Sequence, residues 1–250
     1  QVEVIEFDFL QPENALQHFN KKVYDVAYYL IHSLGDTSTT LKEYELRSVG
    51  CFILVSSLCQ VRQIVYLGGI SNVPKLSSQL LARKVVKDVI VNSGIPYTIF
   101  EAGIIVGSGS VSFEIIRDLT EKLPVMVVPR WLNSKCQPIA IRNVINYLFR
   151  CLRDENTYFR TFEIGGPDVL SYKQMLLDFA EVRGYKRYII AMPVVFPGLS
   201  AYWLYLTTSA NFTIAKQLVE SMKNDVICQE NSIQDIIPQE LISYKDAIRM

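Results

Sequence analysis

The feature that most constrains this chain is a set of short runs that are apolar at nearly every position instead of at every second one. Val26–Ile31 reads Val-Ala-Tyr-Tyr-Leu-Ile, Ile64–Leu67 reads Ile-Val-Tyr-Leu, and Tyr97–Phe100 reads Tyr-Thr-Ile-Phe after Gly94 and Pro96. A strand with one wet face alternates polar and apolar residues. A short continuous apolar run is buried on both faces, which is the habit of parallel sheets covered by helices. The intervening stretches have helical spacing. Leu76, Leu80, Leu81, Val85, Val86, Val89 and Ile90 share one face, with Ser77 or Ser78 as N-cap and Gly94 with Pro96 as the stop. Leu41–Leu58 is a second helix with Val49, Phe52 and Ile53 toward the core. Ser171 and Gln174 have capping-box spacing ahead of Met175, Leu176, Phe179 and Val182, and Gly184 ends that helix. Strand alternating with helix predicts a doubly wound α/β sheet.

Composition narrows the partners. Half of the 250 residues are hydrophobic and the mean hydropathy is +0.18, enough for a full core. Lys plus Arg is 25 and Asp plus Glu is 25. A neutral chain lacks the basic surplus that displaces counterions from nucleic acid, so no nucleic-acid partner is expected. The five cysteines, Cys51, Cys59, Cys136, Cys151 and Cys228, form no CxxC or Cys/His pattern. Neither a disulfide framework nor a metal site is expected, and the chain reads as a reduced, cytoplasmic protein. Val2–Phe9 reads as a strand with no signal peptide, so residues are expected to be missing upstream. Ile248–Met250 ends inside a helical pattern. Tyr188–Leu206 is uncharged and as long as a membrane span, but Pro193, Pro197 and Gly198 interrupt it, so no span is expected.

In open α/β sheets, ligands bind beyond the carboxyl ends of the strands. That rule picks out Asp8-Phe9, His32-Ser33, Gly68-Gly69 and Glu101-Ala102-Gly103. The same places carry a resemblance. Tyr29–Ser33, Ile64–Ile70, Ala102–Ser110, Pro129-Arg130-Trp131, Gln137–Arg142 and Glu163–Leu170 resemble, in this order and spacing, the atypical short-chain dehydrogenase/reductase-like proteins. Within that family they are most similar to the epimerase-like members, relatives of the NmrA-like regulators and of the dehydrogenase-like accessory subunit of respiratory complex I. The resemblance implies a Rossmann-type sheet with a smaller C-terminal lobe. Residues 1–155 would form the dinucleotide-binding domain and 156–250 the substrate side. The implied cofactor is NADP or NAD, and the implied partner a small-molecule substrate.

Two departures from the family pattern bear on chemistry. The family opens with GxxGxxG at a helix N-terminus, where backbone N–H groups hold the cofactor pyrophosphate. No such motif occurs here; Gly103, Gly107 and Gly109 follow a late strand. The first βαβ unit is therefore expected to be absent from this chain. The family's Tyr-x-x-x-Lys pair, in which the lysine lowers the tyrosine pKa, is missing as well: none of the 14 tyrosines has a Lys four residues on. Gln79 and Arg83 stand at the matching positions, and Gly68-Gly69 replaces the usual serine.

Each remaining candidate has two readings. Asp8, with Phe9, would bond the adenine amino group or be a solvated strand-end acid. His32 and Ser33 would contact the cofactor ribose or satisfy the backbone. Gly68-Gly69 would let a flat ligand approach, or make a turn. Arg83 would hold ribose hydroxyls or a phosphate, or face solvent beside Lys84 and Lys87. Gly103 would face the cofactor. Glu101 would donate a proton or pair with Arg130 or Arg142. The resemblance turns Arg130, Trp131 and Gln137 toward the substrate, Arg130 as a carboxylate or phosphate clamp or as one side of a salt bridge. Phe196, Tyr202 and Trp203 would line a pocket or lie in the core. The leading expectation is an NAD(P)-binding protein passing hydride to a small apolar carbonyl compound without a Tyr/Lys pair. A non-catalytic dinucleotide sensor or scaffold is the second reading, and sugar-nucleotide epimerisation the third.

Overall fold

The doubly apolar runs are strands. In the computed structural model, which describes residues 3–19, 22–31, 38–72, 77–192 and 224–250, they are β1 (Val26–Tyr29), β2 (Gln63–Gly69) and β3 (Tyr97–Ala102). Seven further strands follow: β4 (Ile105–Val106), β5 (Val125–Pro129), β6 (Lys135–Cys136), β7 (Ile139–Ala140), β8 (Arg160–Ile164), β9 (Leu170–Ser171) and β10 (Tyr188–Met192). Helices include the short α1 (Ala15–Phe19) and the longer α2 (Ser38–Leu58), α3 (Ser78–Val91), α4 (Val111–Lys122), α5 (Ile141–Arg150) and α6 (Tyr172–Val182). The chain divides into two compact units. The first comprises Gln1–Gly69, Ser78–Glu101 and Leu148–Phe162; the second comprises Ile70–Ser77, Ala102–Tyr147 and Glu163–Met250.

The first unit is built on the Rossmann-type parallel sheet, in the order β1-β2-β3-β8. β1 pairs with β2 in parallel, Val26 opposite Gln63 and Tyr29 opposite Tyr66. Side chains alternate across a strand, so each run serves two faces. Ala27, Tyr29, Ile64, Tyr66, Tyr97 and Ile99 meet Val49, Phe52 and Val55 of α2 and Val86 and Ile90 of α3. The Val, Ile and Phe side chains among them contribute about 1.5–3 kcal/mol each on full burial. The opposite face is tied by polar groups. The buried Gln63 donates its amide to Thr98 Oγ1 and to the carbonyl of Cys151, both at 2.9 Å, and accepts the Arg153 N–H at 2.8 Å. Thr98 in turn meets Thr157 at 2.9 Å, and the Tyr28 hydroxyl donates to Leu148 O at 2.7 Å.

Of the strand expected over Val2–Phe9, the described residues 3–9 form none. Residues 3–8 have no regular structure, because Asp8 starts a turn instead. Its carboxylate accepts the Leu10 N–H and the Gln11 side-chain amide, both at 2.9 Å, while its carbonyl accepts the Gln11 N–H. An Asp bonded to its own backbone two residues on competes with a sheet ladder. The alternating Phe7 and Phe9 that suggested a strand make an aromatic cluster with Phe19 and Phe52.

In the second unit α4, α6 and the C-terminal helix Tyr244–Arg249 share a core containing Phe113, Ile116, Leu119, Met175, Leu176, Phe179 and Tyr244. The Ser171 hydroxyl accepts the Gln174 N–H at 3.1 Å, as the capping box requires. The reciprocal bond is absent, since the Gln174 amide donates to Asp178. Small paired strands complete the unit: β4 with β7 and β5 with β10 in parallel, β6 with β9 antiparallel. The uncharged stretch from Tyr188 therefore begins as strand β10; its remainder, with Phe196, Tyr202 and Trp203, lies outside the described residues. No helix among the described residues is long and apolar enough to cross a membrane.

Candidate functional site

The carboxyl end of β2 carries a group of polar side chains in the first unit. Gly68 and Gly69 are the last two residues of the strand and not a turn leaving it. What lies beside them belongs to the chain itself. A Cβ on Gly69 would stand 2.8 Å from the Arg83 Nη1 and 3.0 Å from the Leu80 Cδ2; one on Gly68 would stand 3.0 Å from the Tyr66 ring. Gly69 is thus the clearance that lets the Arg83 guanidinium lie against the strand end.

Arg83 is half-buried and does not point to solvent. Burial pulls its pKa down, and the charges of Tyr66 and Glu45 oppose that pull. Glu45 is buried on the inner face of α2, next in that row to Leu41 and Ser48. Burial raises the Tyr66 phenol far above its ordinary value, although Arg83 lowers it; the hydroxyl donates to the Arg83 carbonyl at 3.4 Å. Burial raises the Tyr29 phenol as strongly, with Ser48 and Glu45 beside it. Both tyrosines hold their protons at neutral pH. The cluster offers a half-buried cation with several N–H donors and two phenols that keep their protons.

One turn further along α3, Lys87 meets Glu101 at the end of β3, Nζ to Oε2 at 3.0 Å. Lys87 is thus a basic partner of Glu101. The exposed Lys84 pairs with Asp88 at 2.8 Å. Asp8 is exposed in its turn, with Phe9 packed on Phe52. His32 and Ser33 lie outside the described residues. Gln79 stands in the first turn of α3, four residues before Arg83.

A separate polar knot lies in the second unit. A Cβ on Gly103 would approach the Gln137 carbonyl to 3.3 Å. The Gln137 amide donates to Gly166 O at 2.7 Å and accepts the Cys228 N–H at 3.2 Å, so its side chain is a strut between two loops. Asn72 donates to Glu163 at 2.8 Å and to Ile227 O at 3.1 Å. Burial pushes the Cys228 thiol up to about 12, with Glu163 adding to the shift, so it is no nucleophile at neutral pH. Arg130 and Trp131 open the single-turn 3-10 helix Arg130–Asn133. Among the described residues no cluster of three or more His, Cys, Asp or Glu could hold a metal.

Sequence reasoning singled out Gly69, Arg83 and Glu101 and missed Glu45, Tyr66 and Lys87. The signal for Glu45 was available: it falls on the same helical face as Leu41, Val49 and Phe52, where an acid is out of place. Lys87 falls one turn after Arg83 on the same side of α3.

No protein-family model and no curated protein sequence matches the chain. Solved structures do. A nucleoside-diphosphate-sugar epimerase from Staphylococcus aureus superposes with a TM-score of 0.76 at 13% identity, over 100% of this chain and 84% of the other. The fold is the epimerase/reductase fold. The Citrobacter sp. triphenylmethane reductase complexed with NADP(H) superposes at 0.75 and 16% identity, over 99% and 83%. The Bacillus cereus UDP-glucuronic acid 4-epimerase in complex with NAD gives 0.68 and 12%, over 98% and 77%. At such identities the epimerase/reductase fold is what is shared, in agreement with the fold that the sequence resemblance implied.

Proposed function

We propose that this protein binds NADP or NAD and, where a substrate is present, passes hydride to a small apolar carbonyl compound. The observation that carries the reading is Arg83, a half-buried cation laid against Gly69 at the carboxyl end of β2, where sheets of this kind take their ligands. Neighbours of the same fold hold NADPH, NADP(H) and NAD. The residues fit part of such a cofactor. Arg83 supplies donors for ribose hydroxyls or a phosphate, and Gly68 and Gly69 keep the strand end low. Asp8, Phe9, His32, Ser33 and Gly103 remain candidate contacts. Glu101, Arg130, Trp131 and Gln137 are proposed on the substrate side, with residues 156–250 supplying the rest of that side.

The nicotinamide, when bound, supplies the hydride. This chain's own part is orientation: Arg83 holds the cofactor, and Tyr29 and Tyr66 keep their protons. Holding donor and acceptor in line is worth about 7 kcal/mol or more in well-oriented systems. The same lack of a proton relay favours a second reading, a dinucleotide sensor or scaffold that binds without turnover.

Titrating NADPH against protein fluorescence, with an assay of NADPH oxidation over a panel of small carbonyl compounds, separates the two. Binding with oxidation supports the reductase, and binding alone supports the sensor. An affinity unchanged in Arg83→Gln would remove Arg83 from the site; loss of about 10-fold or more is expected for a charged hydrogen-bonding partner.

A further inference from the structure

Glu45 is an acid in an apolar row. On the inner face of α2 it lies one turn after Leu41 and one turn before Val49, and Ser48 and Phe52 continue the face. All five are buried, Glu45 with 3% of its surface exposed. A charge taken out of water is costly unless another charge or a hydrogen bond meets it.

The groups around Glu45 form one connected cluster within the first unit. The Tyr29 ring lies 5.0 Å from that of Phe52 and 5.9 Å from that of Tyr66, centroid to centroid. The Tyr66 hydroxyl donates to the Arg83 carbonyl at 3.4 Å, and the Arg83 Nη1 stands 2.8 Å from where a Cβ on Gly69 would be. Tyr29, Tyr66 and Arg83 each feel the charge of Glu45. The acids of α3 and β3 are held by other cations, Asp88 by Lys84 at 2.8 Å and Glu101 by Lys87 at 3.0 Å. Gly69 gives the guanidinium room but exerts no pull on it. A guanidinium on a flexible stem stays in one place only where something fixed attracts it.

We infer that Glu45 is the positioning residue of this site: its buried carboxylate, fixed on α2, supplies the charge that holds the Arg83 guanidinium against Gly69. The inference rests on the reading of Arg83 as a cofactor contact. It adds that the cofactor meets a cation already set in place, with less side-chain freedom to lose on binding.

Two measurements test this on the wild type, Glu45→Gln, Glu45→Asp, Arg83→Gln and the double variant E45Q/R83Q. Glutamine keeps the size of Glu45 and its ability to hydrogen-bond but carries no charge, so a packing role survives that change. The first measurement needs no cofactor. By nitrogen NMR, the Arg83 side-chain Nε–H, assigned by its absence from Arg83→Gln, is expected to exchange with water about fivefold or more faster in Glu45→Gln and to return toward the wild-type rate in Glu45→Asp. An unchanged rate in Glu45→Gln overturns the inference. The second is NADPH affinity by fluorescence titration. Glu45→Gln is expected to weaken binding by about fivefold or more in the wild-type background and to add nothing in the Arg83→Gln background. An equal loss in both backgrounds, or tighter binding in Glu45→Gln, overturns the inference. If Arg83→Gln binds as the wild type does, the cofactor reading of Arg83 falls, and the exchange rate still decides whether Glu45 holds Arg83. If Glu45→Gln does not fold, the double variant, which removes both charges, is expected to fold again; a double variant no more stable than Glu45→Gln overturns the inference.

Discussion

At the scale of single residues, glycines decide two different things here. Gly166 has no freedom: a Cβ there would stand 2.3 Å from the Pro138 carbonyl oxygen, which is backbone and cannot swing away. Gly166→Ala is expected to cost about 2–4 kcal/mol, in the range of severe overpacking, measured as a lower urea midpoint. Gly69 differs, because its nearest neighbour is the far end of the Arg83 side chain. Gly69→Ala is expected to cost under about 1 kcal/mol of stability while it displaces the guanidinium. NADPH affinity should then fall although the thermal midpoint barely moves; a midpoint that drops as far as in Gly166→Ala would show that the glycine serves packing alone. Part of this was readable in the sequence. Gly69 and Arg83 were marked by their places at a strand end and on a helix. The contact between them, across the β2–α3 connection, has no spacing rule to reveal it. Glu101 was recognised as an acid in need of a cation, yet its partner Lys87 is chosen by how α3 lies on β3.

At the scale of elements, periodicity served wherever an element was long enough to show it. β1 to β3, α2, α3 and α6 were legible because each repeats its apolar pattern over several residues. The two-residue strands β4, β6, β7 and β9 are too short to carry a pattern and are defined only by their pairing, β4 with β7 and β6 with β9. The strand expected at residues 2–9 failed for a local reason, the Asp8 turn, which alternation of Phe7 and Phe9 could not outvote. The capping box was half right, and the half is testable. Ser171→Ala should cost about 1 kcal/mol through loss of the cap on Gln174 N–H. Gln174→Ala should cost less at the cap, since its amide already donates to Asp178. Chemical denaturation of the two variants side by side gives the order; an equal loss would mean that the reciprocal bond forms in solution.

At the scale of the whole molecule, buried thiols tie stability to alkaline pH. Burial raises Cys136 and Cys151 from an ordinary value of 9.0 to about 12, with Asp225 adding to the first and Asp154 to the second. A thiol whose folded pKa lies above its unfolded one leaves stability untouched while both states keep the proton. Above about pH 9 the unfolded chain ionises first, so stability falls by about 1.4 kcal/mol per pH unit for each thiol until the folded pKa is passed. The urea midpoint should be flat up to about pH 9 and decline beyond it, and Cys136→Ala should make the decline shallower. An equal slope in the variant would assign the alkaline loss to other groups.

The buried amide of Gln63 has a consequence for how the protein is made. It joins the second strand of the sheet to the Cys151 carbonyl, 88 residues later in the chain. A ribosome delivers the N-terminal part first, at about 5–20 residues per second. Until the segment around residues 151–157 has left the exit tunnel, the amide has Thr98 and water as partners and lacks the Cys151 carbonyl. Throughout that interval one face of β2 and β3 is open to whatever else is nearby. The nascent chain is most exposed to chaperones and to misassociation in this window, and slowed elongation between Gln63 and Cys151 would lengthen it.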